Sequence, residues 1–456
     1  MNKKRVMALV MSGMMLFSMA GCGSSGDNAA AESKPAAEET AEEAAEESTE
    51  KAPVLDTAAD DESGTVSGEY TPEDGAVIEV FTIKEEIVEV IDNIIAEYTA
   101  KYPQVKVNHT YGEDGETVLK TRLASNDIPD VMQTMPAGIE YKQYYDAGYL
   151  MDVTDEAFQQ NIGQNLLALT EYNDIQFCMP MTVSTYAVYY RKDLFEAAGI
   201  TSAPTTFDEF KEDLQKLQDS GIKRPIAFPF KGDAPQLTER LMGELNPDCA
   251  KDFQAIADGT KDIADSESLN TFADFLDTIK PYATEDALGM DRDAALQDIV
   301  NGDAAIMFNG SWLLSQFLTA NPDLDIAYFA LPSPILDSPQ VAVNVDTAWS
   351  IGTSTKYPEA CKAFLDFLSQ SDIAQEYYEV DGNISYVKGV KYDKEQLMDV
   401  YDTVMSGSAF STVGNQWPTW DLRGDLAAAA QGYYGDEDRE AFLDACAEYI
   451  DFYYHR

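Results

Sequence analysis

Between residues 77 and 133 the hydrophobic period of the chain switches back and forth, and that switching restricts the fold more than any other feature. Residues 77–83 read VIEVFTI, a strand. From Glu86 to Tyr102 the apolar residues Ile87, Val90, Ile91, Ile94 and Ile95 recur at helical spacing, and Pro103 ends the run. Residues 105–110 form the next strand, 117–125 a second helix and 130–133 a short third strand. A strand–helix–strand–helix–strand order predicts an α/β fold with a largely parallel sheet. Neither a GxGxxG nor a P-loop follows the first strand, which disfavours nucleotide binding.

Further along, helices are expected over 141–150, 191–199, 237–245, 269–279, 358–368, 372–379, 396–405, 421–431 and 439–453, with strands over 181–190, 225–230, 326–331 and 349–351. Thr206 and Glu209 have the spacing of a capping box. The stretch 301–317, NGDAAIMFNGSWLLSQF, is the most specific. Asn301-Gly302 is a turn, Ala304 to Phe308 is a buried strand, and Ser311 after Gly310 should cap a helix that opens with Trp312. An indole just outside a strand end, beside a glycine that lets a ligand approach the backbone, suits a small-molecule crevice. The same pattern also fits an indole that is simply core.

A length of 456 residues calls for two lobes rather than one core. A net charge of -50 argues against nucleic acid or anionic lipid as partners. With only His109 and His455, little remains for a histidine metal site or a Ser-His-Asp triad, and no metal or cofactor is expected. Lys3, Lys4 and Arg5 precede an apolar run from Val6 to Ala20, too short to span a bilayer as a helix but suited to a signal peptide over residues 1–21. Its end, Ser18-Met19-Ala20-Gly21-Cys22, resembles the lipobox of bacterial lipoproteins, which implies acylation of Cys22 and a membrane anchor on the outer face of the cell. Residues 22–74 then read as a disordered acidic tether, with fourteen acids against two bases between Gly23 and Tyr70, and the folded part should start at residue 75. Cys178, Cys249, Cys361 and Cys446 show no CxxC spacing and read as isolated core residues, although export would permit pairing.

Four segments occur in an order that resembles one family: IPDVMQ, then PMTVSTYAVYYRKDLFEAAGITSAPTTFDEF, then NGDAAIMFNGSW, then SIGTSTKYPEACKAFLDFLSQ. From residue 75 onward the chain is similar to the extracellular solute-binding proteins of carbohydrate ABC importers, the maltodextrin-binding-protein type. The resemblance implies a two-lobed periplasmic-binding-protein-like α/β fold with a hinge and an interlobe cleft, lobe 1 being 75–183 plus 349–397 and lobe 2 being 184–348 plus 398–456. It implies a receptor rather than an enzyme, with a mono- or oligosaccharide ligand and an ABC permease as partner.

Sugar faces suit aromatic planes, and sugar hydroxyls suit carboxylates, amides and guanidinium forks. By resemblance the ligand-binding candidates are Lys84 and Glu85 after the first strand, Thr134 after the third, and Ser184 and Tyr186 at the first crossing. They continue with Phe230 and Asp233 in FPFKGD, the stacking Trp312, Asp346 and Trp349 at the second crossing, and Trp420 with Arg423, three residues apart on one face. Trp417 fits stacking and packing equally. Two alternatives stand beside this reading: a receptor of the same fold for a non-sugar solute, and a secreted glycoside-acting enzyme. No pair of acids stands out for the latter.

Overall fold

The computed structural model describes residues 64–112, 114–136 and 138–456. The signal peptide, Cys22 and the tether up to residue 63 lie outside the described residues. Among the described residues ten strands are joined in one sheet: β1 (Val77–Thr82), β2 (Lys106–Tyr111), β3 (Val131–Thr134), β4 (Met179–Arg191), β5 (Ile226–Ala227), β6 (Ile306–Gly310), β7 (Ile326–Phe329), β8 (Val341–Ile351), β9 (Ile384–Ser385) and β10 (Ala409–Ser411). The order is β2-β1-β3-β8-β4-β6-β5, with β10 on β8 and both β7 and β9 on β4. β2, β1 and β3 are parallel, as the alternation at the start of the chain requires.

β4 and β8 carry the chain across the sheet. The C-terminal half of β8 lies antiparallel to β3, with Met132 opposite Ser350, while its N-terminal half pairs with β10. β4 starts opposite Trp349 and ends between β6 and β7, with Tyr189 opposite both Met307 and Tyr328. Nearly every residue of the two strands is buried, which is why β4 reads as one apolar and aromatic run. The register between them slips at Pro180–Thr182 and again at Thr182–Val183, and such irregularities bend a strand. Both slips lie next to Val183.

The fold differs from the sequence expectation at several places, each with a local cause. β8 begins at Val341, not Trp349, because Asn344, Asp346 and Thr347 interrupt the apolar pattern yet find side-chain partners in Asn415, Asn383 and Tyr377. β5 is only two residues long, and Pro229 downstream has no N–H to continue a ladder. Helix Cys249–Ala257 was not anticipated, and helix Ile139–Asp146 ends before Gly148, whose φ of 77° suits a helix stop. The helix Phe207–Asp219 does open on the Thr206–Glu209 capping box.

Residues before 75 are also built into the fold. The Asn161 side chain clips the backbone of Val66, accepting its N–H at 2.7 Å and donating to its carbonyl at 2.7 Å. Asp366, 2 % exposed, accepts from the Ser67 hydroxyl at 2.7 Å and the Gly68 N–H at 2.8 Å. The Tyr70 hydroxyl donates to Glu156 at 2.9 Å, and the Glu73 carboxylate accepts the N–H groups of Glu359 and Ala360 at the start of helix Pro358–Leu368. Residues 65–73 are therefore strapped along that helix. Composition concealed this, because apart from the Tyr70 ring on Phe158 the strap is held by polar contacts with distant segments.

Two hydrophobic cores form on the sheet. One gathers β1, the helix Val88–Lys101 and the helices around Phe364 and Tyr377; the other gathers Phe210, Phe228, Phe253, Phe272, Leu426 and Phe442. Trp312 packs against both. Cys178, Cys249, Cys361 and Cys446 are buried thiols without disulfides.

Candidate functional site

Beside the paired strands β4 and β8 a cleft of about 480 Å³ opens. Ser184 of β4 and Asn344 and Asp346 of β8 make its floor. One wall comes from segments that follow β1 and β3, through Lys84, Glu86 and Met135, with Glu116 from helix Gly115–Ala124. The opposite wall is built by Asp233, Glu239 and Arg240 at and along helix Ala234–Leu245, by Trp312, and by Trp420 and Arg423. A neighbouring cavity of about 430 Å³ shares Glu116, Pro235, Trp420 and Arg423 and continues past Lys120, Tyr141 and Tyr144. Trp420 and Arg423 thus border both compartments.

Trp312 owes its place to the residue two before it. A Cβ on Gly310 would lie within 2.4 Å of three atoms of the indole, so the glycine makes room for the ring itself. Ser311 starts the single turn Ser311–Leu313 without capping it. Its hydroxyl accepts the Thr185 N–H at 3.2 Å and donates to Asn383 at 2.6 Å. The half-buried indole leans on Tyr186, the ring centroids being 6.4 Å apart. At the other end of the wall Arg423 lies over the Trp420 ring, its guanidinium carbon 5.1 Å from the centroid.

Several of the charges at the cleft are paired. Lys84 makes ion pairs with Asp346 and, at 3.2 Å, with Asp381. Burial alone would lower the Lys84 ammonium, but the two carboxylates outweigh it and hold its pKa well above the ordinary value. Asp381, buried and beside a second carboxylate, is raised despite Lys84. Burial likewise raises Asp233, against the pull of Arg292. Glu239 accepts from the Thr412 hydroxyl and the Gly414 N–H, which fixes the segment leading to Trp417 and Trp420. Among the described residues no group of three or more His, Cys, Asp or Glu side chains is arranged to hold a metal ion.

Residues 84–375, more than half of the chain, match the family described as bacterial extracellular solute-binding protein. The chain belongs to that family. A multiple sugar-binding protein of Streptococcus mutans is 25 % identical over 391 residues, covering 82 % of this chain and 89 % of that one. Among solved structures, the solute-binding protein RafE in complex with raffinose shares the fold at a TM-score of 0.72, with 22 % identity over 82 % of this chain and 99 % of that one. The ligand-free form of RafE from Streptococcus pneumoniae gives 0.71, with 22 % identity over 84 % and 98 %.

Of the residues expected at the site, this solute-binding protein brings Lys84, Ser184, Asp233, Trp312, Asp346, Trp420 and Arg423 to one cleft. Five others are elsewhere. Glu85 is exposed outside the cleft and its neighbour Glu86 lines it, a difference of one residue in a turn. Thr134 is buried in β3 and bonded to Ser350, so Met135 takes the wall position. Tyr186 is buried behind Trp312 with its hydroxyl on the Phe308 carbonyl. Phe230 packs between Phe228 and Tyr434 in the core. Trp349, 0 % exposed, packs edge-on against Phe364. Trp417 is also buried, stacked on Phe253 at 5.8 Å, which decides for packing.

Asn344, Glu239 and Arg240 were missed. Asn344 carried a readable signal, a polar amide inside an apolar strand pattern. Glu239 and Arg240 carried none, because charged pairs on a helix ordinarily face solvent and this helix is buried on nearly all sides.

Proposed function

We propose that this solute-binding protein captures a mono- or oligosaccharide in the cleft beside β4 and β8 and delivers it to the permease of an ABC importer. The observation that carries the reading is the pairing of two indole surfaces, Trp312 and the Arg423-backed Trp420, with the carboxylates of Asp233 and Asp346 in one cleft. Indole faces match the C–H patches of a pyranose, and buried carboxylates accept its hydroxyl donors. Two adjoining compartments that share Trp420 suit a ligand longer than one ring. A relative named for multiple sugars and a like-folded protein holding raffinose support the same class.

On this reading the lobes are 75–183 plus 349–397, with the strap 65–73 joined to the first, and 184–348 plus 398–456, and a ligand touching both favours the closed form by its differential affinity. Moving from mostly open to mostly closed takes about 5.5 kcal/mol of differential affinity, which the roughly 8 kcal/mol of a micromolar site can supply. The protein is exported, acylated at Cys22 and held at the outer face of the membrane by its acidic tether. Binding, and not turnover, is its activity.

Titration calorimetry with glucose, maltotriose, raffinose and stachyose tests the reading, preceded by native mass spectrometry for a co-purified ligand. Heat from at least one saccharide with a dissociation constant of roughly micromolar order is the expected result. Silence across the panel, with binding of a peptide or polyamine, rejects the carbohydrate class. Appearance of hydrolysis products rejects the receptor. Retention of Cys22→Ser in the membrane fraction rejects the anchor.

A further inference from the structure

Asn383 lies between helix Ser371–Asp381 and β9, 1 % exposed and outside the cleft lining. Both ends of its amide are used. The carbonyl oxygen accepts from the Ser311 hydroxyl at 2.6 Å, and the amide nitrogen donates to Asp346 Oδ2 at 2.9 Å. Ser311 opens the turn that carries Trp312, and Asp346 is on the cleft floor. One buried side chain therefore connects two cleft elements from separate strands, β6 and β8.

We propose that Asn383 is a positioning residue, holding the Asp346 carboxylate and the Ser311–Trp312 turn in their cleft-facing places. The inference rests on the saccharide reading for its consequence, though not for its geometry. Residue chemistry carries it. The position needs an acceptor for Ser311 and a donor for Asp346 at once, and a short amide supplies both from one group. A carboxylate there would be a third acid around a single cation, since Lys84 already serves Asp346 and Asp381. An apolar residue would leave the Ser311 hydroxyl and one direction of the Asp346 carboxylate without their buried partner. Residue 383 is outside the cleft lining, so its effect on a ligand must pass through Asp346 and Trp312.

The test uses the full chain, with whichever of raffinose, maltotriose and stachyose the wild-type protein binds as probe. Asn383→Leu is expected to weaken that probe by about tenfold, and by under about twofold when Asp346 is already Asn, because two residues acting through one contact are not additive. Equal losses in both backgrounds overturn the proposal.

Asn383→Asp gives a readout that a merely structural role would not produce. The groups against the new carboxyl are the Ser311 hydroxyl, Asp346 and Asp381, and Lys84 and the Tyr377 hydroxyl interact with those two acids in turn. Protonated, the carboxyl can donate to Asp346 and accept from Ser311 as the amide does; ionised, it repels Asp346. Affinity of this variant relative to wild type should therefore fall as pH rises through its titration, and a constant ratio overturns the proposal. Should wild-type protein bind none of the three sugars, the carbohydrate reading fails. Amide hydrogen exchange at residues 311–313 of the ligand-free protein still decides the positioning role: about tenfold faster exchange in Asn383→Leu supports it, and an unchanged rate overturns it.

Discussion

Arg423 lies over the indole of Trp420, three residues before it in the chain, with 5.1 Å between guanidinium carbon and ring centroid. The guanidinium covers one region of the ring and also lines the cleft. Trp420→Ala should weaken saccharide binding by roughly tenfold or more, the scale of one lost stacking contact. Arg423→Lys should retain less than full affinity, since an ammonium lacks the planar fork that stacks and donates together. Calorimetry on both variants checks this, and an Arg423→Lys protein with unaltered affinity removes the guanidinium from the site.

Trp312 and Trp349 should respond in opposite ways. Trp312 is half-buried at the cleft, so Trp312→Ala should cost more than about tenfold in affinity with a small shift in melting temperature. Trp349 is wholly buried, so Trp349→Ala should destabilise by about 3–5 kcal/mol. Its indole N–H has no hydrogen-bond partner among the described residues, so Trp349→Phe should cost far less. A thermal denaturation series with matched binding titrations separates the two.

The architecture was legible because β1 to β3 follow one another with clean periods and because β4 is a long apolar run. What failed was depth. Phe230 and Trp349 have the residue types of a sugar platform, but nothing local distinguishes an aromatic that faces a cleft from one that faces Tyr434 or Phe364. Polar residues failed in the reverse sense. The Asp366 carboxylate and Asn161 amide are buried because partners some 95 to 299 positions away come to meet them, and no sequence window contains such a pair. Trp312 lines the cleft, and Gly310 makes room for its ring, a contact that no spacing along the chain announces.

The strap over helix Pro358–Leu368 should loosen when its buried acceptor is weakened. Asp366 accepts through both oxygens, one for Ser67 and one for Gly68, and Asp366→Asn replaces one acceptor with a donor. A cost of about 1–3 kcal/mol is expected, the range for a buried group left without its partner. Limited proteolysis should then cut between residues 64 and 74 faster than in wild type, with the cleft's affinity for saccharide unchanged. Equal cutting rates mean that the strap is held by Asn161, Tyr70 and Glu73 without Asp366.

Glu244 should make stability depend on pH with the sign opposite to that of an ordinary paired acid. It is buried beneath the cleft wall, accepts the Ala342 N–H at 2.8 Å, and has no hydrogen-bond partner for its second oxygen among the described residues. Burial raises its pKa well above 4.5, against the pull of the Ala342 N–H and Arg240. The native state therefore binds this proton more tightly than the unfolded chain does. Its stabilising contribution is complete below about pH 4.5, and stability declines as pH rises from there through the raised native value. Glu244→Gln keeps the shape and a carbonyl for Ala342 but has no proton to lose. Its melting temperature should draw level with or pass that of wild type as pH rises from about 5 to about 8, the variant's advantage growing across that window. Asp381 and Asp233, raised in the same direction, remain in both proteins and cancel from the comparison. A difference between the two melting curves that stays constant over the window would mean that Glu244 does not carry the proton.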